Sequence, residues 1–188
     1  MAPRYKALPG VVLINPKFKH NIGGVIRACS CFGIPTLLWT GDRIEFEEGE
    51  RLPREERMKG YRDVHFSHED RPIDAFGSSV PVCVELIPGS QPLTYFEHPD
   101  NAVYIFGPED GHVPQVYRRL CHSVIYIPAF HCLNLAAAVN VVLSHRMVSR
   151  QLSGHQPVVP VGDMLNENRG YGKPDADLFD RVGWDGHV

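Results

Sequence analysis

Two short apolar runs with an amphipathic segment between them constrain the fold of this chain more than any other sequence feature. The runs are Val11–Ile14 and Thr36–Thr40, both bounded by Pro or Gly, and both are typical of buried strands. Between them, apolar residues recur at helical spacing from Ile22 to Phe32 and stop at Gly33, a typical helix C-terminal glycine. A strand, a helix and a strand in this order favour parallel pairing and an α/β fold.

Similar signals continue along the chain. Further strands are predicted at Val64–Phe66, Val80–Leu86, Ala102–Phe106 and Val124–Ile127. A long apolar helix is predicted at residues 133–151, and its alanines permit the close approach of another helix. Residues 45–60 are rich in charge and indicate a loop with a short helix. We therefore expect a mostly parallel sheet flanked by helices in residues 1–153, followed by an irregular, Pro- and Gly-rich tail in residues 154–188.

Composition narrows the class of protein. The chain has 188 residues, is 43% hydrophobic, and contains no apolar run near the roughly 20 residues that span a bilayer. Its five cysteines are odd in number and lie mostly in apolar patterns, which indicates reduced thiols and a cytoplasmic location. The net charge is −3, yet residues 1–41 contain five Lys or Arg and no acidic residue. This basic segment either meets phosphates or is simply a solvated lysine cluster.

Three segments have the residue types of a ligand site. Asn21–Gly33 reads NIGGVIRACSCFG, a glycine-bearing turn that leads into a helix with one arginine. Gly107–Gly111 (GPEDG) is a turn whose backbone can approach a ligand closely because it lacks Cβ atoms at both ends. Ile127-Pro128 is followed by Cys132-Leu133-Asn134 at the beginning of the long helix. Each segment alone is weak evidence, and none has the spacing of a dinucleotide fingerprint or a phosphate loop.

In this order and at this separation, the three segments resemble the three motifs of the SPOUT-class RNA methyltransferases. The resemblance is closest to the TrmH- and TrmL-like branch, which methylates the ribose 2′-hydroxyl, and it covers about residues 10–150. It implies S-adenosylmethionine as cofactor, a sheet whose C-terminal part is threaded as a trefoil knot, and a homodimer packed through the first and last helices. It also implies an RNA substrate, tRNA before rRNA, with neither DNA nor a membrane as partner.

The resemblance assigns catalytic roles to Arg27, Asn21, Glu109 and Asn134. The family gives the arginine the activation of the hydroxyl, but a guanidinium is a poor proton acceptor. We therefore expect Arg27 to stabilise a phosphate and the developing alkoxide. Asn21 and Asn134 are expected to orient the nucleotide or the loop backbone, with helix capping as the alternative for Asn134. Glu109 either bonds Asn21 or helix amides beside the cofactor, or is a solvated turn acid.

The same resemblance predicts that the cofactor contacts mainly backbone at Leu86, Gly107, Ile127 and Leu133. Cys132 is expected to pack beside the cofactor, where the family has a serine of nearly the same size. The loop before it, residues 129–131, is several residues shorter than in the family.

Other functions remain open on the sequence. Histidines such as His65 and His68 lack the spacing of zinc motifs, so no metal is expected. The changed Cys132 and the short loop before it leave room for a non-catalytic RNA-binding or regulatory dimer. A cysteine-dependent hydrolase with Cys132 as nucleophile is a third possibility, and such an enzyme would have no need for S-adenosylmethionine.

Overall fold

The computed structural model describes residues 5–46, 63–160 and 164. Within these residues, seven parallel strands form one sheet in the order β3-β2-β1-β6-β4-β7-β5. The strands are β1 (Gly10–Ile14), β2 (Thr36–Thr40), β3 (His65–His68), β4 (Val80–Val84), β5 (Gln91–Pro92), β6 (Ala102–Phe106) and β7 (Ser123–Tyr126). The predicted α/β architecture with a parallel sheet is confirmed.

Helices connect and flank these strands. They are α1 (Lys19–Cys31), α2 (Gln115–Arg118) and α3 (Leu135–Leu152), and a 3₁₀ turn spans Leu93–Tyr95. None of the helices in the described part of the chain combines the length and the apolar character that crossing a bilayer requires.

Three adjacent interior strands, β1, β2 and β6, are buried over their whole length because both faces of the sheet are covered. Alternate residues face opposite sides, as the two-residue period of a strand requires. Val11 and Leu13 join a core with α1 and α3, whereas Val12 and Ile14 join a smaller core on the other face. Each such side chain contributes about 1.5–3 kcal/mol of transfer free energy.

Helices α1 and α3 pack against each other through small residues. A Cβ built on Gly24 would lie 2.9 Å from the Cβ of Ala136, closer than real Cβ contacts allow. The alanines that predicted close helix approach therefore meet a glycine of α1. This contact brings the beginning of α3 beside α1.

Several element boundaries differ from those the sequence predicts. The strand predicted at Val80–Leu86 ends at Val84, and the one predicted at Val64–Phe66 is His65–His68. Strand β5 and helix α2 were not predicted because two and four residues are too short to show a period. The loop and short helix predicted at residues 45–60 lie almost wholly outside the described residues, as does the tail after residue 160 apart from Met164.

A buried polar cluster ties α3 to β6 and to the segment before it. The Tyr104 hydroxyl lies 2.6 Å from His98 Nδ1, and His98 Nε2 lies 2.8 Å from His145 Nδ1. Arg146, which is 6% exposed, donates to the carbonyl of Pro99 at 2.6 Å. Burial, together with the neighbouring His145 and Arg146, lowers the pKa of His98 to about 3. The histidine is therefore held in its neutral form.

Candidate active site

Loops from distant parts of the chain meet at the carboxyl-terminal edge of the sheet. Asn21 in the first turn of α1 donates through Nδ2 to Glu109 Oε1 at 2.6 Å. Asn134 donates through Nδ2 to Asn21 Oδ1 at 2.8 Å. The Oδ1 atom of Asn134 accepts from the amides of Ala136 and Ala137 at 2.9 and 3.3 Å, so the same side chain caps α3. One hydrogen-bonded chain thus joins the three predicted motifs.

Glu109 also binds the beginning of α1. This helix has no acidic residue in its first turn, and its N-cap residue Phe18 makes no side-chain capping bond. Glu109 Oε2 accepts from the Lys17 amide at 2.7 Å, and Oε1 accepts from the Phe18 amide at 3.4 Å. A carboxylate suits this position because the N-terminus of a helix carries unpaired amides and a partial positive charge. The predicted contact of Glu109 with Asn21 is present, and the amides that it binds belong to Lys17 and Phe18, just before the first helical residue Lys19.

Asp110, the next residue, forms an ion-pair cluster with two adjoining loops. Arg43 donates to both carboxylate oxygens at 2.9 and 2.8 Å, and the Lys17 ammonium donates to one of them at 3.0 Å. The Arg43 guanidinium, and then the Lys17 ammonium, hold the pKa of this carboxyl well below its usual range. Arg43 and Asp110 were not among the site residues predicted from the sequence. Arg43 lies just beyond the end of β2, and Asp110 lies just beyond the end of β6. These positions after two predicted strands were the sequence signal that could have identified both residues.

A cavity of about 400 Å³ opens beside these loops. Its lining is mostly apolar and comes from the segments that follow β4 and β7, together with the beginning of α3. Four of the five predicted cofactor-contacting residues line it: Leu86, Ile127, Cys132 and Leu133.

The fifth, Gly107, has a different place. It is not among the residues that line the cavity, and a Cβ at this position would lie 2.9 Å from the backbone nitrogen of Val113. Glycine is required here because the loop after β6 folds back on itself. A larger residue would therefore first displace protein backbone.

Glu85 lines the cavity and was not singled out from the sequence. The predicted strand ran through this residue, but β4 ends at Val84 and the Glu85 side chain bonds neighbouring loops. Its Oε2 accepts from the Val113 amide at 2.7 Å, and its Oε1 accepts from the Leu86 amide at 3.1 Å. His112 Nδ1 lies 3.2 Å from the same Oε1.

Arg27 lies on α1, six residues after the buried Asn21, and its side chain is exposed. It is not among the residues that line the cavity. The structure therefore brings together Asn21, Glu109 and Asn134 and leaves Arg27 on the surface of α1.

Two observations concern the metal site and the cysteine nucleophile considered from the sequence. No group of three or more His, Cys, Asp or Glu side chains in this part of the chain is arranged to hold a metal ion. All five cysteines are free thiols, with Cys29 and Cys83 buried and Cys132 exposed.

Comparison with known proteins adds independent information. Residues 9–144 match the SpoU rRNA Methylase family. No curated protein sequence matches the chain significantly. A TrmH/SpoU tRNA modifying enzyme from A. aeolicus has a similar structure, with a TM-score of 0.65, 19% identity and coverage of 83% of both chains.

Two further structures are comparably similar. The SpoU methyltransferase AviRb from Streptomyces viridochromogenes, in complex with AdoMet, has a TM-score of 0.65 at 19% identity, covering 81% of this chain and 64% of AviRb. A structure described for the 2-OH methylation of C/U34 on tRNA has a TM-score of 0.63 at 24% identity, covering 77% of this chain and 96% of the other. At these identities, the structural likeness establishes the fold.

Proposed function

This chain belongs to the SpoU rRNA methylase family, and we propose that it is an S-adenosylmethionine-dependent methyltransferase that modifies a ribose 2′-hydroxyl of RNA. The observation that carries the proposal is the hydrogen-bonded chain of Glu109, Asn21 and Asn134. These bonds join the three motif segments beside an apolar cavity. A site that holds both a cofactor and a nucleotide needs such an arrangement of polar groups next to a pocket.

The cavity suits the proposed cofactor. Its volume of about 400 Å³ and its apolar lining fit a nucleoside-sized ligand. The amides and carbonyls of Leu86, Ile127 and Leu133 would hold the adenosyl group, because few charged side chains reach this lining. When bound, S-adenosylmethionine supplies an electrophilic methyl group. AviRb, a protein of similar fold, was solved with this cofactor.

Arg27 supplies the proposed electrostatic stabilisation. The attacking 2′-hydroxyl loses its proton to water or to the neighbouring RNA phosphate and develops negative charge on oxygen, which a fixed cation stabilises in the transition state. A planar guanidinium also grips a phosphate through two parallel hydrogen bonds. Arg27 is exposed on α1, whose beginning is held by Glu109, and we propose that an RNA backbone binds at this surface.

A homodimer would complete the site. The outer surface of α3 carries Val141 and Val148, which are 38% and 49% exposed. With Phe32 at the end of α1, these residues line a shallow groove of about 550 Å³. Pairing this apolar surface with a second copy would bury it and bring Arg27 of each α1 near the interface. We therefore propose a homodimer packed through α1 and α3.

The remaining proposals rest on family membership. We propose that the chain segments after β6 and β7 form the trefoil knot of the SPOUT class, and that the enzyme acts in the cytoplasm, where its free thiols stay reduced. We propose tRNA as substrate before rRNA, because two proteins of similar fold are described as acting on tRNA.

The decisive experiment is methyl transfer from labelled S-adenosylmethionine to total RNA, followed by nucleoside mapping. We expect label in a 2′-O-methylnucleoside, and a loss of at least about a hundredfold in single-turnover rate for Arg27→Ala. Arg71→Ala, which changes an arginine that is 83% exposed, is the matched control. Cofactor and RNA binding without transfer would support the non-catalytic dimer instead. Label on a base would overturn the ribose assignment.

A further inference from the structure

One acidic residue lines the cavity that the proposed function assigns to the cofactor. Among the cavity-lining residues, which all lie in the described part of the chain, Glu85 alone is acidic, and most of the others are apolar. Its side chain is 11% exposed, so bulk water screens it less than a surface carboxylate.

Glu85 is also fixed in position. Backbone amides hold it from two sides, Val113 at 2.7 Å and Leu86 at 3.1 Å, and His112 approaches it at 3.2 Å. The loop after β4 is thereby tied to the loop after β6. The carboxylate cannot move from this position without breaking these bonds.

The ligands of the proposed reaction differ in charge. S-adenosylmethionine carries a sulfonium, an ammonium and a carboxylate, a net charge of +1. S-adenosylhomocysteine, the product left after methyl transfer, lacks the sulfonium charge and is neutral overall. The two molecules are otherwise alike, so an apolar cavity by itself distinguishes them weakly.

We propose that Glu85 makes this cavity select the cationic cofactor over its neutral product. The inference rests on the proposed function, since it assumes that S-adenosylmethionine binds here. Attraction between the carboxylate and the sulfonium is lost when the methyl group leaves, so the product binds more weakly and exchanges for fresh cofactor. Glu85 is thus a specificity determinant for the ligand and takes no part in the proton transfer.

The same charge has a predictable effect on the chemical step. The sulfonium loses positive charge on the way to the transition state, so a nearby carboxylate stabilises the bound reactant more than the transition state. Removing this charge is therefore expected to raise the single-turnover rate at saturating cofactor. A residue needed for catalysis would show the opposite effect.

The test is calorimetric binding of three ligands to the dimer or monomer as purified. They are S-adenosylmethionine, S-adenosylhomocysteine and sinefungin, in which an amine-bearing carbon replaces the sulfonium and keeps a positive charge. Glu85→Gln removes the charge and retains an oxygen that can accept from Val113. We expect the variant to bind both cationic ligands about tenfold more weakly, with S-adenosylhomocysteine changed by less than about twofold. Glu97→Gln, at an exposed position, is the control.

Each contrary result has a distinct meaning. If Glu85→Gln lowers the affinity for all three ligands equally, selection by charge is refuted, and the role of Glu85 is only to hold the two loops in place. Unchanged affinities would overturn it as well. Wild-type protein that binds the neutral product as tightly as the cofactor would refute the inference without any variant. Wild-type protein that binds none of the three would refute the proposed function itself.

Discussion

Replacing Glu109 by glutamine tests whether a distant carboxylate positions α1. In the structure, the two oxygens of Glu109 accept from Asn21 Nδ2 at 2.6 Å and from the Lys17 amide at 2.7 Å. A glutamine has one oxygen and one NH₂ group, so it can accept from one of these donors while its own NH₂ faces the other. The substitution preserves size and removes one bond and the charge.

The cost follows from the kind of bond lost. A hydrogen bond to a charged group contributes about 1.5–3 kcal/mol when its partner is left without an acceptor. The contact with Asn21 is partly buried, whereas the Lys17 amide is exposed and can donate a hydrogen bond to water instead. We therefore expect a loss of about 2 kcal/mol, which for a chain of this size lowers Tm by about 4–8 °C.

The rate of methyl transfer should fall by a larger factor than the equilibrium constant for folding. Asn21 connects Glu109 to Asn134, so a shift of α1 misplaces both the motif asparagines and Arg27. A displacement near 1 Å at a reacting centre costs about a hundredfold in rate. Thermal unfolding and single-turnover methyl transfer measure the two effects, with Glu97→Gln as an exposed control.

Two results would refute this reasoning. A Tm within about 1 °C of wild type would mean that Glu109 contributes nothing to holding α1. Additive losses in Asn21→Ala, Glu109→Gln and their double variant would mean that the two side chains are not coupled, whereas contacting residues show interaction energies of about 0.5–3 kcal/mol.

Three other substitutions test separate parts of the structure. Burial lowers the pKa of His98 from 6.5 to about 3, so the unfolded chain binds more protons between these pH values, and the free energy of unfolding should fall as the pH drops below 6.5. In urea titrations, His98→Gln should reduce this fall by about 2 kcal/mol, a figure that allows for the partial exposure of the side chain. Gly107→Val places a side chain 2.9 Å from the Val113 nitrogen and should destabilise the fold by about 1–3 kcal/mol, measured by urea unfolding; unchanged stability would refute the close approach. Cys132→Ser should keep most methyl-transfer activity, and a loss beyond about a hundredfold would mark the thiol as essential.

The order of elements follows from local patterns. The apolar runs at Val11–Ile14 and Thr36–Thr40 predict β1 and β2 closely, and the period between them predicts α1. Long, strongly patterned segments are readable because burial on a helix or strand imposes a period on the sequence. Strand β5 and helix α2 carry no such period, and their places depend on neighbours.

The sequence by itself determined the parallel α/β fold, because buried strands and helices leave local apolar patterns. It also determined the three motif segments with Asn21, Glu109 and Asn134, because these segments resemble the motifs of a known family. Only the tertiary structure decided that Glu109 binds Asn21 of α1 across 88 residues, and that Glu85, just beyond the end of β4, lines a cavity. It also decided that Gly107 makes room for backbone at Val113. These contacts join loops at the ends of different strands, and no local period records which loops a sheet brings together.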